Sequence, residues 1–181
     1  MKYFKKIRLK DGRECILRNC EETDGQAVLS NFILAHEQTD FLLSYPDENT
    51  RTVEQESQFL KRKAESDNEI EILAEVEGLV AGLSGINAVG IREKVRHRAA
   101  LGISIDRSFW NLGIGTALTD ACLECARQAG YEQIELDVVA DNTSAIRMYK
   151  RAGFEEYGRN PRGFRSRYSG YQELIYMRKE L

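Results

Sequence analysis

Residues 105–116 constrain the fold more than any other stretch of the chain. Ile105-Asp106-Arg107-Ser108-Phe109-Trp110-Asn111-Leu112-Gly113-Ile114-Gly115-Thr116 ends a strand, turns on two glycines and opens a helix. Glycine at 113 and 115 lets the backbone approach a ligand with no Cβ in the way. The first N–H groups of a helix lack intrahelical acceptors, so a turn of this kind can hold an anion such as a pyrophosphate. The same pattern also suits a tight strand-to-helix turn with no ligand. Two nucleotide motifs do not fit. No Lys-Ser/Thr follows Gly115, as a P-loop requires, and Leu118 stands where the dinucleotide fingerprint needs its third glycine.

Around this turn the chain reads as alternating strands and helices. Asp11-Gly12 separates strand-like runs at 3–9 and 14–18, a hairpin signal. Ala27, Val28, Phe32 and Ala35 recur at helical spacing over 24–37, and Thr52 with Gln55 forms a capping box for a helix over 52–63. After Asp67-Asn68 the period becomes two: Ile70, Ile72, Ala74 and Val76 alternate with Glu69, Glu71, Glu75 and Glu77, which predicts a half-buried strand. Its partner runs over 79–87. His97–Ile105 is a further strand, followed by a helix over 116–129, a strand over 134–139, a helix over 143–151 and strand-like runs at 154–158 and 172–178. This order predicts a single α/β domain spanning 1–181, with a mixed sheet instead of a regular doubly wound one.

Charge and cysteine content narrow the function. With 26 Lys plus Arg against 29 Asp plus Glu, the net charge of −3 argues against a nucleic-acid or polybasic membrane partner. The N-terminus lacks an apolar signal core and no run approaches a membrane span, so the cytoplasm is expected. Cys122 and Cys125 have metal-ligand spacing, but they share an apolar helix stripe with Leu118 and read as buried thiols, with no metal expected.

Downstream, Asn142, Ala145, Tyr149, Gly153 and Phe154 complete Asn-x-x-Ala-x-x-x-Tyr-x-x-x-Gly-Phe, and Trp110-Asn111-Leu112-Gly113-Ile114-Gly115 matches Gln/Arg-x-x-Gly-x-Gly/Ala except at its first position. Together these motifs resemble the GNAT superfamily of N-acetyltransferases over roughly 15–180. The resemblance implies a mixed, mostly antiparallel twisted sheet flanked by helices, with a splayed central pair of parallel strands. It implies acetyl-CoA as cosubstrate. The pantetheine arm would lie against the backbone of Ile103, Ser104 and Ile105. The pyrophosphate would sit on the N–H groups of Asn111, Leu112, Gly113, Ile114, Gly115 and Thr116, and Asn142 would contact the cofactor, cap the helix, or do both. Trp110 removes a polar side chain there without touching the backbone cradle.

By the same resemblance an amine is acylated directly in a ternary complex, with Tyr149 as general acid or else as a packing residue. Ala99 occupies a position where some family members carry a glutamate base. His97, two residues earlier on the same strand face, is the nearest substitute, with a solvated loop histidine as its alternative. Glu75 and Glu77 could act through water. The acceptor, a small-molecule or peptide amine, would meet Thr39–Asn49 and Gly158–Gly170. Asp40, Asp47 and Glu48 favour a cationic acceptor there, whereas Arg159, Arg162, Arg165 and Arg167 favour an acidic one. A homodimer through an edge strand at 172–178 is compatible with the family. The competing readings are a silent acyl-CoA-binding module of the same fold and an interaction domain built on the arginine-bearing loop.

Overall fold

The N-terminal hairpin forms where Asp11-Gly12 predicts it: β1 (Phe4–Arg8) and β2 (Glu14–Asn19) pair antiparallel in a computed structural model that describes residues 1–181. Next come α1 (Gly25–Glu37) and α2 (Val53–Glu65). The predicted capping box starts α2, with Thr52 Oγ1 accepting from the Gln55 N–H and Gln55 Oε1 accepting from the Thr52 N–H. A meander of β3 (Ile70–Val76), β4 (Leu79–Ala88) and β5 (Arg98–Ile105) leads to α3 (Ile114–Gln128). The chain then continues through β6 (Gln133–Val139), α4 (Thr143–Arg151), β7 (Glu155–Ser166) and β8 (Gly170–Glu180).

All eight strands join one sheet in the order β1-β2-β3-β4-β5-β6-β8-β7. Every neighbouring pair is antiparallel except β5 and β6. The helix α3 covers one face: Leu118, Ala121, Cys122 and Cys125 pack against Ile70, Ile72, Ala74 and Ile134 in the main core. The helices α1 and α2 cover the first strands on the other face, where Val28, Leu60, Leu73 and Leu83 form a second cluster. Three expectations change here. Strand β3 is buried on both faces at its centre, since Leu73 lies under α1 and α2. Glu75 pairs with Arg18 at 3.3 Å, and Glu77 is exposed in the β3–β4 turn. The 172–178 strand is not an edge. The β7–β8 hairpin folds back so that β8 pairs with β6 along seven positions, Gln133↔Glu180 through Val139↔Leu174, leaving β7 outermost. Both closing strands also extend well beyond the predicted runs.

That long hairpin reaches across the molecule to the segment after α1. The Asp40 carboxylate accepts from Ser166 Oγ (2.6 Å), Ser169 Oγ (3.1 Å), Gln172 Nε2 (3.2 Å) and Tyr45 Oη (3.3 Å). Arg167 pairs with Asp47 at 2.8 Å and lies 4.1 Å from the centre of the Tyr45 ring. Two carboxylates therefore tie the hairpin tip to the 39–49 segment, Asp40 through several neutral donors and Asp47 through Arg167. Asp40→Ala is expected to cost about 1–3 kcal/mol in denaturant unfolding, because several donors lose their acceptor at once. It should also speed amide exchange at 166–170 selectively; unchanged exchange there would show that the tip is held by other contacts.

Candidate functional site

The site begins where the sheet stops pairing. The strands β5 and β6 are registered at only three positions, Arg98↔Gln133, Ala99↔Ile134 and Ala100↔Glu135. Beyond them β5 continues to pair with β4 out to Gly82↔Ile105, and β6 with β8 out to Val139↔Leu174, while the two strands part from each other. The facing edges of 101–105 and 136–139 thus carry backbone groups with no strand partner, which a ligand with amide groups can satisfy. A cleft of about 610 Å³ fills the gap and runs out past the start of α3.

The outer end of the cleft is shaped by the glycine turn. Gly113 has φ of 101°, a left-handed conformation that costs other residues strain, and Asn111, at φ 63°, belongs to the residue types that tolerate it. A Cβ at Gly115 would lie 2.9 Å from Met148 Sδ and 3.1 Å from Ile105 Cδ1, so α4 and β5 both press on this turn. The first helical bond of α3 is donated by Ala117 to the Gly113 carbonyl, leaving the earlier N–H groups directed out of the helix end. Trp110, at the position where the motif usually has Gln or Arg, donates its indole N–H to the Ile105 carbonyl at 2.8 Å. The substitution therefore keeps a side-chain donor that ties the turn to the end of β5. Gln38 at the end of α1 braces the same turn, donating to Asp106 Oδ1 at 3.0 Å and accepting from the Arg107 N–H at 2.6 Å. The N-terminal hairpin braces it from the other side: the Lys10 N–H donates to the Leu112 carbonyl at 3.2 Å, and Arg13 lies 5.4 Å from the centre of the Phe109 ring.

Most residues singled out from the sequence meet in this cleft. Ile103, Ser104, Ile105, Asn111, Gly113, Ile114, Gly115, Thr116, Asn142 and Tyr149 all line it. Leu112 does not; it packs partly buried against the main core. Asn142 caps α4, its Oδ1 accepting from the Ala145 N–H at 3.2 Å, while its side chain also faces the cleft. Tyr149 is buried beside Phe154, with ring centres 5.7 Å apart. Burial first, then the nearby Cys122 and Asp137, push its hydroxyl well above the ordinary tyrosine value, so it carries its proton throughout the neutral range.

His97 lies elsewhere. It precedes β5 at the paired end, and its carbonyl accepts from the N–H groups of Glu132 and Gln133. Six residues of extended chain, about 20 Å, separate it from Ile103. It shares a strand face with Ala99, and that face reaches the cleft only from Leu101 onward, so His97 and the buried Ala99 both stay outside the lining. Another carboxyl with a shifted pKa, Glu71, is pushed up to about 7 by burial, reinforced by Glu56 and opposed by Lys63 and Arg51. It lies against Gly85 on the α2 side of β3, outside the cleft.

The carboxylate that does face the strand gap is Asp137, which the sequence reading passed over. Leu136 and Val138 point into the main core, so the intervening Asp137 projects from the opposite face of β6, exposed and lining the cleft. Its signal was present: it is the one charged residue in the apolar run from Leu136 to Ala140. Lys10 and Arg151 are the two cationic side chains on the lining, and Lys10 comes from the hairpin that precedes the resemblance. Phe41, Leu42, Leu43 and Phe164 supply an apolar wall. No helix is long and apolar enough to cross a membrane.

Comparison with known proteins agrees with this architecture. The family model for the acetyltransferase (GNAT) family matches residues 31–154. The L-amino acid N-acetyltransferase AaaT of Escherichia coli (strain K12) is 29% identical over 167 residues, covering 91% of this chain and 96% of its own length. The crystal structure of an acetyltransferase of the GNAT family from Streptococcus pneumoniae is 30% identical, covers 92% of this chain and 99% of its own, and superposes with a TM-score of 0.88. The structure of yncA from Salmonella typhimurium with its cofactor acetyl-CoA shares the fold at 16% identity and a TM-score of 0.81, covering 92% of this chain and 94% of its own. The chain belongs to the GNAT family and is an acyl-CoA-dependent acetyltransferase.

Proposed function

We propose that this protein transfers the acetyl group of acetyl-CoA to a primary amine by direct attack in a ternary complex, with Tyr149 as general acid and Asp137 as general base. The observation that carries this reading is their meeting at the strand gap from opposite faces of the sheet. Tyr149 comes from α4 on the α3 side, Asp137 from the other face of β6, and Asp137 is close enough to contribute to the raised tyrosine pKa.

The residues at the outer end suit a pantetheine pyrophosphate. The edge of 101–105 would pair with the pantetheine amides as a strand pairs with its neighbour. The N–H groups of Gly113, Ile114, Gly115 and Thr116 would hold the pyrophosphate, with Lys10 and Arg151 adding positive charge, and Asn142 would use the polar atoms its cap leaves free. Acetyl-CoA supplies an electrophilic acetyl carbonyl and a thiolate leaving group. Asp137 takes the proton from the ammonium, directly or through one water, so that the nitrogen has a lone pair for attack. As the carbon–nitrogen bond forms and the carbon–sulfur bond breaks, the nitrogen loses its second proton to water and the Tyr149 hydroxyl gives its proton to the departing sulfur; solvent then reprotonates Tyr149 and takes up the proton held by Asp137. All four cysteines are buried, and none lines the cleft as a nucleophile would. The name of the Escherichia coli relative points to L-amino acids as the first acceptors to try.

Release of coenzyme A thiol from acetyl-CoA in the presence of amines tests the reading. Tyr149→Phe is expected to lower kcat by about 10²-fold while the acetyl-CoA dissociation constant stays unchanged. Asp137→Asn is expected to lower kcat/KM for the amine by a similar factor near pH 7, with partial recovery as pH rises and free amine becomes abundant. Full activity in either variant would remove that residue from its role. Binding of acetyl-CoA without turnover on any amine would favour the silent module.

A further inference from the structure

The acceptor end of the cleft has an unusual balance of charged and apolar groups. The acidic residues that suggested a cationic acceptor are already engaged: Asp40 accepts from Tyr45, Ser166, Ser169 and Gln172, and Asp47 pairs with Arg167. None of the arginines that suggested an acidic acceptor lines the cleft. Arg159 is held by Glu156 and Glu173, and Arg162 and Arg165 lie over the Tyr171 ring. Asp137 and Asp141 are the carboxylates on the lining, and Asp141 lies in the turn between β6 and α4. Asp137 is the one of the two that projects from β6 itself at the strand gap.

The same lining carries Phe41, Leu42, Leu43 and Phe164. None of the four packs into either hydrophobic core, and Leu43 is 81% exposed. They are nevertheless held in place. Residues 41–43 directly follow Asp40, and Phe164 is registered opposite Gln172, whose amide donates to the Asp40 carbonyl at 3.1 Å and to its carboxylate. The Asp40 tie therefore fixes an apolar wall across the acceptor end, a costly surface to leave in water unless something apolar covers it.

Resting on the acetyl-transfer reading above, we propose that the acceptor is a monoamine on an apolar body, with its nitrogen at Asp137 and its hydrocarbon part against Phe41, Leu42, Leu43 and Phe164. A leucine- to phenylalanine-sized substituent fits this description. A polyamine does not, since its second ammonium would be desolvated against the wall with no carboxylate to meet it.

A series of straight-chain amines from ethylamine to hexylamine tests this, because the ammonium pKa is nearly constant along it and only apolar length changes. kcat/KM is expected to rise about fourfold for each methylene the wall covers, the rate equivalent of burying one CH₂. Hexylamine should exceed spermidine, and leucinamide should exceed lysinamide. Leucine compared with leucinamide reads separately whether a carboxylate contributes. Leu43→Ser, at an exposed position that places no burden on folding, and Phe164→Ala should each flatten the chain-length series while leaving the calorimetric affinity for coenzyme A intact. A flat series in the wild-type protein, or a preference for spermidine, would overturn the proposal and leave acetyl transfer standing. Coenzyme A binding with no amine acetylated at all would instead defeat the acetyl-transfer reading on which it rests.

Discussion

The structure depends on a pairing that stops. Strands β5 and β6 are the one parallel pair in the sheet, and they hold each other at three registered positions before they part. An unpaired strand edge is an obligation, since backbone N–H and C=O groups cost free energy when they have no partner. Here the parting leaves an open edge on each strand, facing the cleft. Each strand is held on its far side, β5 by β4 along seven registered positions and β6 by β8 along another seven. The gap therefore cannot close without breaking a longer ladder, so the cleft is preorganised by the sheet and not by the loops that line it.

The elements around the gap divide the work between its two ends. At the outer end the glycine turn is clamped by Met148 of α4, Trp110, Gln38 just after α1 and the tip of the N-terminal hairpin, which fixes the direction of the α3 N–H groups. At the inner end α4 brings the buried, proton-bearing Tyr149 to one face while β6 presents Asp137 on the other. Across the acceptor side the β7–β8 hairpin and the segment after α1 are joined by the Asp40 carboxylate, which makes a wall from residues far apart in sequence. Charge there holds the wall in place, and the side chains it presents to the cleft are apolar.

What the sequence revealed and concealed follows physical lines. The central turn, the capping box of α2 and the Asn142–Phe154 motif were legible because each is local: its residue types answer to backbone needs within a few positions. The parting of β5 and β6 came from the family resemblance; no periodicity encodes it. His97 was misplaced because strand alternation gives the face a side chain points to but not its depth along the cleft, and the gap opens only after Ala100. Asp137 was passed over because a lone charge in an apolar strand reads as an interruption until its strand is known to border a cavity. Asp40, Asp47 and Arg167 read as substrate contacts because the partners that tie them across the molecule lie 120 or more residues away, beyond the reach of any local pattern. The sequence leaves the 172–178 strand looking like an edge because hairpin order along the chain does not fix which strand of the hairpin inserts beside β6.

The most direct test of the account is amide hydrogen exchange of the protein with and without acetyl-CoA, read residue by residue. If the strand gap is the acyl-CoA site, the unpaired amides within 101–105 and the helix-end amides at 113–116 will be slowed together, while the outer strand β7 keeps its rates. Protection confined to another surface, or none at saturating acetyl-CoA, would contradict it.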